Sequence, residues 1–182
     1  MRSLFSYFSR RQDRARRAAE HYSALVNQAR RPEFYEGLGT PDTLDGRFDL
    51  IVLHASLYLR RLRGAGREGR DLAQAVFDQM FVNLDESLRE LGVSDMTLAK
   101  KMRKMVSAFY GRAAAYDKAL NDADDGELGA ALARNLYRGT PPGLAAVVAL
   151  STYLREAAKA LASTPDDAML ANHFRWASPP SL

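Results

Sequence analysis

The sequence contains no cysteine, which excludes a disulfide framework, a cysteine-ligated zinc site and thiol catalysis. That absence fits a reducing compartment. Long apolar runs are also missing. The longest, LIVL at 50–53 and LAAVVAL at 144–150, fall far short of the roughly 20 residues that a membrane-spanning helix needs. Histidine is scarce: His21, His54 and His173 lie in three separate segments, and none has a second ligand three or four residues on. HExxH and GxSxG do not occur. RGAGREG (63–69) does not follow a strand and does not end in GK[ST], so it is expected to be a flexible connector rather than a phosphate cradle. DADDGE (122–127) has its glycine one place early for a calcium loop starting at Asp122, and Ala133 where the closing glutamate belongs. It reads as an acidic helix start. No catalytic residue, metal or cofactor is expected.

What the sequence does have is concentrated positive charge. Residues 1–31 hold eight arginines against Asp13 and Glu20, a balance of +6 in a chain whose net charge is +4, so the remainder stands at −2. Such asymmetry points to a polyanionic partner: nucleic acid, ribosome or anionic lipid. The apolar stretch at the start is too short for a secretory signal, and the charge follows it rather than preceding it. The Arg- and Ser-rich start is also like a mitochondrial presequence, which makes the matrix the lesser reading of location. The main one is cytoplasmic, peripheral to the inner membrane.

Apolar spacing is helical nearly throughout and no strand-like alternation occurs. The expected class is all-α: a basic amphipathic helical arm over 1–31 and a compact multi-helix domain over 32–182. The first helix, near 3–30, carries Leu4, Phe8, Ala15, Ala18, Ala19, Tyr22, Leu25, Val26 and Ala29 on one stripe. Arg10, Arg14, Arg17 and His21 form a flanking ridge, Arg16 lies opposite, and Arg11 falls inside the stripe and must snorkel. The ridge fits a solvated flank, a membrane-surface helix anchored by Leu4, Phe5, Tyr7 and Phe8, or phosphate contact with RNA.

The second helix is expected from a cap at Asp42 or Thr40, and its apolar residues on most sides make it central. It ends in Arg60, Arg61 and Arg63, well placed for its macrodipole. A third runs from about Arg70 to Leu91, with Leu72, Val76, Met80, Leu84, Leu88 and Leu91 inward, and Gly92 as its stop. A fourth, capped by Ser94, carries Leu98, Met102, Met105, Phe109, Ala113 and Tyr116, with Lys100, Lys101, Arg103 and Lys104 projecting elsewhere. A short helix to about Arg138 follows. Thr140 and Pro141 are expected to open the next, Thr164-Pro165 the last, and FRWASPPSL to lack strong structure.

His54, in an apolar helix, reads first as a buried, hydrogen-bonded histidine. Met80, Met102 and Met105 are core fillers or the lining of an adaptable groove. KKMRKM (100–105) is a solvated face or a second anionic contact. Gly111 within a helix costs about 1 kcal/mol against alanine, so close packing is expected there.

DTLDGRFDLIVLHASLYLRRL (42–62) and FDQMFVNLDESLRELGVSDMTLAKKMRKMVSAFYGRAAAYDKAL (77–120) resemble the ubiquinol–cytochrome c chaperone family, the assembly factors of respiratory complex III. The resemblance is carried by the helix around His54, the segment 81–93, the Lys-rich helix and FYGRAAAYDKAL, with Phe109, Gly111, Tyr116 and Asp117 in fixed arrangement. It implies an all-helical, non-catalytic chaperone whose client is nascent cytochrome b. In mitochondrial members it also implies a small assembly-factor partner and a contact at the ribosomal tunnel exit. Without a long extension before the shared region, the compact alpha-proteobacterial form is expected. Arg10, Arg11, Arg14, Arg16, Arg17, Lys100, Lys101, Arg103 and Lys104 would then meet ribosome or anionic membrane. His54, Met80, Met102, Met105, Phe109, Tyr116 and Asp117 would serve client or partner. The alternative is a helical protein that binds nucleic acid through the arginine ridge without reading its sequence.

Overall fold

The computed structural model describes residues 2–122 and 124–180, with side chains from Gln12 onward except that of Asp125. Eight helices follow one another: α1 (Arg2–Ala29), α2 (Glu33–Glu36), α3 (Leu44–Gly64), α4 (Gly66–Glu90), α5 (Asp95–Asn121), α6 (Asp125–Asn135), α7 (Leu144–Ser163) and α8 (Asp166–Leu170). Among the described residues there is no strand.

α3 is the central element, as its all-round apolar surface demands. Leu50, Val52, Leu53, Tyr58, Leu59 and Leu62 are buried on its several faces, and it packs against α1, α4, α5, α7 and α8. Its cap is Thr43, neither Asp42 nor Thr40: the Thr43 hydroxyl accepts from the Gly46 amide at 3.1 Å. Asp42 instead pairs with Arg47, and Thr40 is buried. The turn is tight enough to require glycine at 46, where a Cβ would lie 1.9 Å from the Pro41 carbonyl oxygen.

The 63–69 segment is a rigid corner, not a flexible connector. Ala65 alone interrupts the helices, and α4 begins at Gly66, four residues before the expected start. A Cβ at Gly69 would meet the Leu62 carbonyl oxygen at 2.1 Å, so the two helix ends abut through backbone. The start of α7 also differs from expectation. Thr140 donates to the Tyr137 carbonyl and closes the turn after α6. The helix begins beyond Pro141-Pro142, with Gly143 as cap, since a residue preceding proline is pushed to extended backbone.

From Ala18 onward α1 is part of the core rather than an arm. Ala18, Tyr22, Leu25, Val26 and Ala29 are buried, and the helix packs on α3 and α4. His21, expected on the arginine ridge, is also buried and hydrogen-bonded to the Tyr58 hydroxyl. Ala15 is exposed despite its place in the stripe. The side chains of Leu4, Phe5, Tyr7, Phe8, Arg10 and Arg11 lie outside the described residues. The C-terminal segment has no helix, yet it is fixed on the core. Phe174 sits 5.0 Å from the Tyr58 ring, and Trp176 meets the His54 ring edge-on at 5.3 Å.

Candidate functional site

His54 belongs to an internal strut, not to a surface. Its ring is fully buried. Nδ1 lies 2.8 Å from the Leu50 carbonyl oxygen and Nε2 2.8 Å from the Tyr153 hydroxyl. The carbonyl can only accept, so Nδ1 carries the proton and Nε2 accepts from Tyr153. Gln28 donates to the Tyr153 oxygen at 2.9 Å and to the Ala177 carbonyl at 3.2 Å. The chain thus links α1, α3, α7 and the C-terminal tail, with both His54 ring nitrogens satisfied. Burial pushes the His54 pKa down to about 4, so the ring is neutral at physiological pH.

A second buried polar group went unremarked in the sequence. Asp49, inside α3, has no solvent exposure and is flanked by two arginines. Arg138 reaches Oδ2 through Nε at 3.1 Å and Nη2 at 3.0 Å. Arg112 stands 2.9 Å from Oδ1 as a charge contact without hydrogen-bond alignment, and its guanidinium lies 5.7 Å from the Phe48 ring centroid. Burial lifts the Asp49 pKa to about 6 against the pull of both guanidiniums. The signal was legible: a carboxylate among buried neighbours at 48, 50 and 51 must find a cation.

The predicted anion-contact residues divide. Arg16 is taken up by Glu20 at 2.9 Å on its own helix. Arg17 braces α1 to Glu68 of α4 and to the Leu170 carbonyl. Arg14 is exposed and makes no hydrogen bond or ion pair among the described residues, while the side chains of Arg10 and Arg11 lie outside them. On α5, Lys100, Arg103 and Lys104 are exposed and Lys101 is partly so. All four of these cations on α5 lack acidic partners among the described residues.

The predicted client residues divide as well. Met80, Phe109 and Tyr116 are buried alongside His54, so none of the four can form a surface as the chain stands. Asp117 is exposed but held by Arg60 at 3.1 Å. Met102 and Met105 are half-buried, with Val106, on the edge of the core. Tyr110, which the sequence did not single out, is exposed and packs 5.5 Å from half-buried Phe77 of α4. Val82 is exposed on the same helix. Phe77 and Tyr110 meet at the α4–α5 seam, and Met102, Met105 and Val106 share a stripe of α5 with Tyr110, beside the cations of that helix. Gly111 lies on the exposed side of α5 with nothing within 4 Å of a Cβ placed there, so the close packing expected at this position is absent among the described residues. Among the described residues no helix is long and apolar enough to cross a membrane, and no group of three or more His, Asp or Glu is placed to hold a metal.

Residues 36–176 match the family profile described as ubiquinol-cytochrome C chaperone. The match begins after the arginine ridge and ends at Trp176, the residue seated on His54. The chain is similar to ubiquinol-cytochrome-c reductase complex assembly factor 1 of Xenopus laevis, 32% identical over 119 residues, covering 65% of this chain and 59% of the frog protein. The Mus musculus protein of that name is 28% identical over 160 residues, covering 87% of this chain and 54% of the mouse protein. The chain therefore spans little more than half the length of these relatives. The crystal structure of the Cbp3 homolog from Brucella abortus superposes with a TM-score of 0.84 at 32% identity, over 96% of this chain and 97% of that one.

Proposed function

The chain belongs to the ubiquinol-cytochrome C chaperone family, and we propose on that footing that it is a non-catalytic assembly factor of the ubiquinol–cytochrome c reductase complex that holds newly made cytochrome b. The observation that carries this reading is the family match across 36–176, supported by the shared fold with the Cbp3 homolog along nearly the whole chain.

The working surface is the α4–α5 seam. Met102, Met105 and Val106 offer adaptable apolar contact, as a very hydrophobic client requires, and Tyr110 with Phe77 adds an aromatic ledge. Lys100, Lys101, Arg103 and Lys104 on the flank, with the basic start of α1, hold the protein near anionic surfaces, either ribosome or inner membrane. Each such cation adds about 1 kcal/mol near an anionic bilayer. A small assembly-factor partner would compete for the same seam. The role uses no cofactor.

A photo-crosslinking residue at position 105, with a second at position 14, tests this in the native cell. Cytochrome b peptides are expected at 105, and ribosomal proteins or lipid at 14. Capture of unrelated soluble proteins alone at 105 would remove cytochrome b as the client, and normal levels of the reductase complex in a deletion strain would reject the role itself.

A further inference from the structure

From Met96 to Tyr116, α5 holds Lys100, Lys101, Arg103, Lys104 and Arg112 and no acidic residue. Arg112 turns inward to Asp49. The helical period arranges the rest. At about 100° per residue, Met96, Lys100, Arg103, Lys104 and Ser107 fall within a sector of about 100°. All five are exposed. They lie opposite Leu98, Phe109 and Tyr116, which are buried.

Lys100, Arg103 and Lys104 make no ion pair among the described residues, and the acids that flank α5 are engaged elsewhere. Asp95 is paired with Arg89 and Asp117 with Arg60. The exposed acids Glu86 and Glu90 belong to α4. Beside these cations stands an apolar anchor. Met96 is 90% exposed, more than any other large apolar side chain among the described residues, and Leu91, 65% exposed, precedes it across the turn at Gly92. A phosphate backbone of RNA would meet the cations and leave Met96 and Leu91 in water. A neutral apolar partner would cover those two and leave the cations unmatched. A bilayer with anionic head groups satisfies both, since charge attraction and shallow apolar insertion act together at its surface.

We propose that the outer face of α5 docks on an anionic lipid bilayer, with Lys100, Arg103 and Lys104 at the phosphates and Met96, with Leu91, entering the head-group layer. Val106 lies about 60° round the helix from Arg103, so the edge of the α4–α5 seam comes to the bilayer surface. The proposal deepens the chaperone reading, on which it rests for the use of that seam: it chooses lipid over ribosome for the α5 cations and names the apolar side chains that enter.

The test is co-sedimentation of the full chain with vesicles of phosphatidylcholine containing phosphatidylglycerol. Vesicles of phosphatidylcholine alone and polyuridylate RNA form the comparison arms. The chain has no cysteine, so Met96→Cys and Leu144→Cys each carry one environment-sensitive fluorophore, the second on the exposed start of α7. Binding to the anionic vesicles is expected to be at least about tenfold tighter than to the neutral ones, and to weaken at least about tenfold in the double change Lys100→Glu with Lys104→Glu. The probe at 96 should brighten and be quenched by spin-labelled lipid, while the probe at 144 stays unchanged. Circular dichroism checks the fold of each variant, and the probe at 96 keeps the test alive if the double change misfolds. Equal binding to neutral vesicles would overturn the proposal, as would no vesicle binding at all or a probe at 96 that stays in water. Binding kept by the double change would move the contact to the basic start of α1, and RNA held more tightly than anionic vesicles would give the face to nucleic acid; either result also overturns it. None of these readouts involves cytochrome b, so the docking face and the client at position 105 fail separately.

Discussion

Arg112 and the Lys100–Lys104 cluster share α5 and lie only about two turns apart. Arg112 is mostly buried, directed at Asp49 of α3 and laid near Phe48. The four cations nearer the N-terminus face water or its edge and meet no acid within the described chain. A buried charge is bound to the fold, because removing its partner strands it. An exposed, unpaired charge contributes almost nothing to the fold and is free to be used elsewhere. Where a cation sits on α5 therefore separates those the fold uses from those it leaves without an acid among the described residues, although all look alike in the sequence.

The sharpest way to break this contrast is Asp49→Ala. Leaving Arg112 and Arg138 without their carboxylate should cost about 3–5 kcal/mol, read as a lower urea midpoint. A loss under about 1 kcal/mol would mean that the arginines re-solvate freely, and the contrast would fail.

His54 extends the comparison to a buried group that stays neutral. Its folded pKa of about 4 lies below the usual 6.5, so on acidification the unfolded chain takes up the proton first. Stability should fall by about 3 kcal/mol as pH drops from about 6.5 to 4. Asp49, with its pKa raised to about 6, acts in the opposite sense over part of that range. Comparing the pH slopes of wild type and His54→Gln subtracts that contribution, and equal slopes would count against a neutral buried ring.

Gly111 probes the exposed side of the same helix. Gly111→Ala should raise stability by about 1 kcal/mol, since nothing occupies the space a methyl would take. If client capture at position 105 falls while stability rises, the bare backbone serves a partner. The smallest effect on folding belongs to the double change Lys100→Glu with Lys104→Glu, within about 0.5 kcal/mol in thermal unfolding. Assembled reductase complex should nevertheless decline in cells carrying it.

Much of the fold was legible because helical spacing is local. Leu72, Val76, Met80, Leu84 and Leu88 all turn inward on α4 as their period requires. Leu91, next in the series, is exposed because it is the C-cap, where the chain turns at Gly92 and leaves the helical register. His21 was assigned to the arginine ridge by spacing, but its burial is decided by Tyr58, 37 residues away. The presence of a cation near Asp49 was inferable; the identity of Arg138, 89 residues distant, was not. The candidate surface was less legible for the same reason. A stripe reveals which residues share a side of a helix, and only packing decides how deeply Met80 sinks relative to Met105.

Trp176 is the single tryptophan of the chain, and it rests against His54 while Ala177 takes a hydrogen bond from Gln28 of α1. The 174–177 segment therefore closes over α1 and α3. Intrinsic tryptophan emission becomes a built-in optical gauge of that closure. A chain truncated before Phe174 would emit no tryptophan signal and would leave the His54 and Tyr58 rings without their aromatic cover, so the seating of this segment can be followed by light from one side chain.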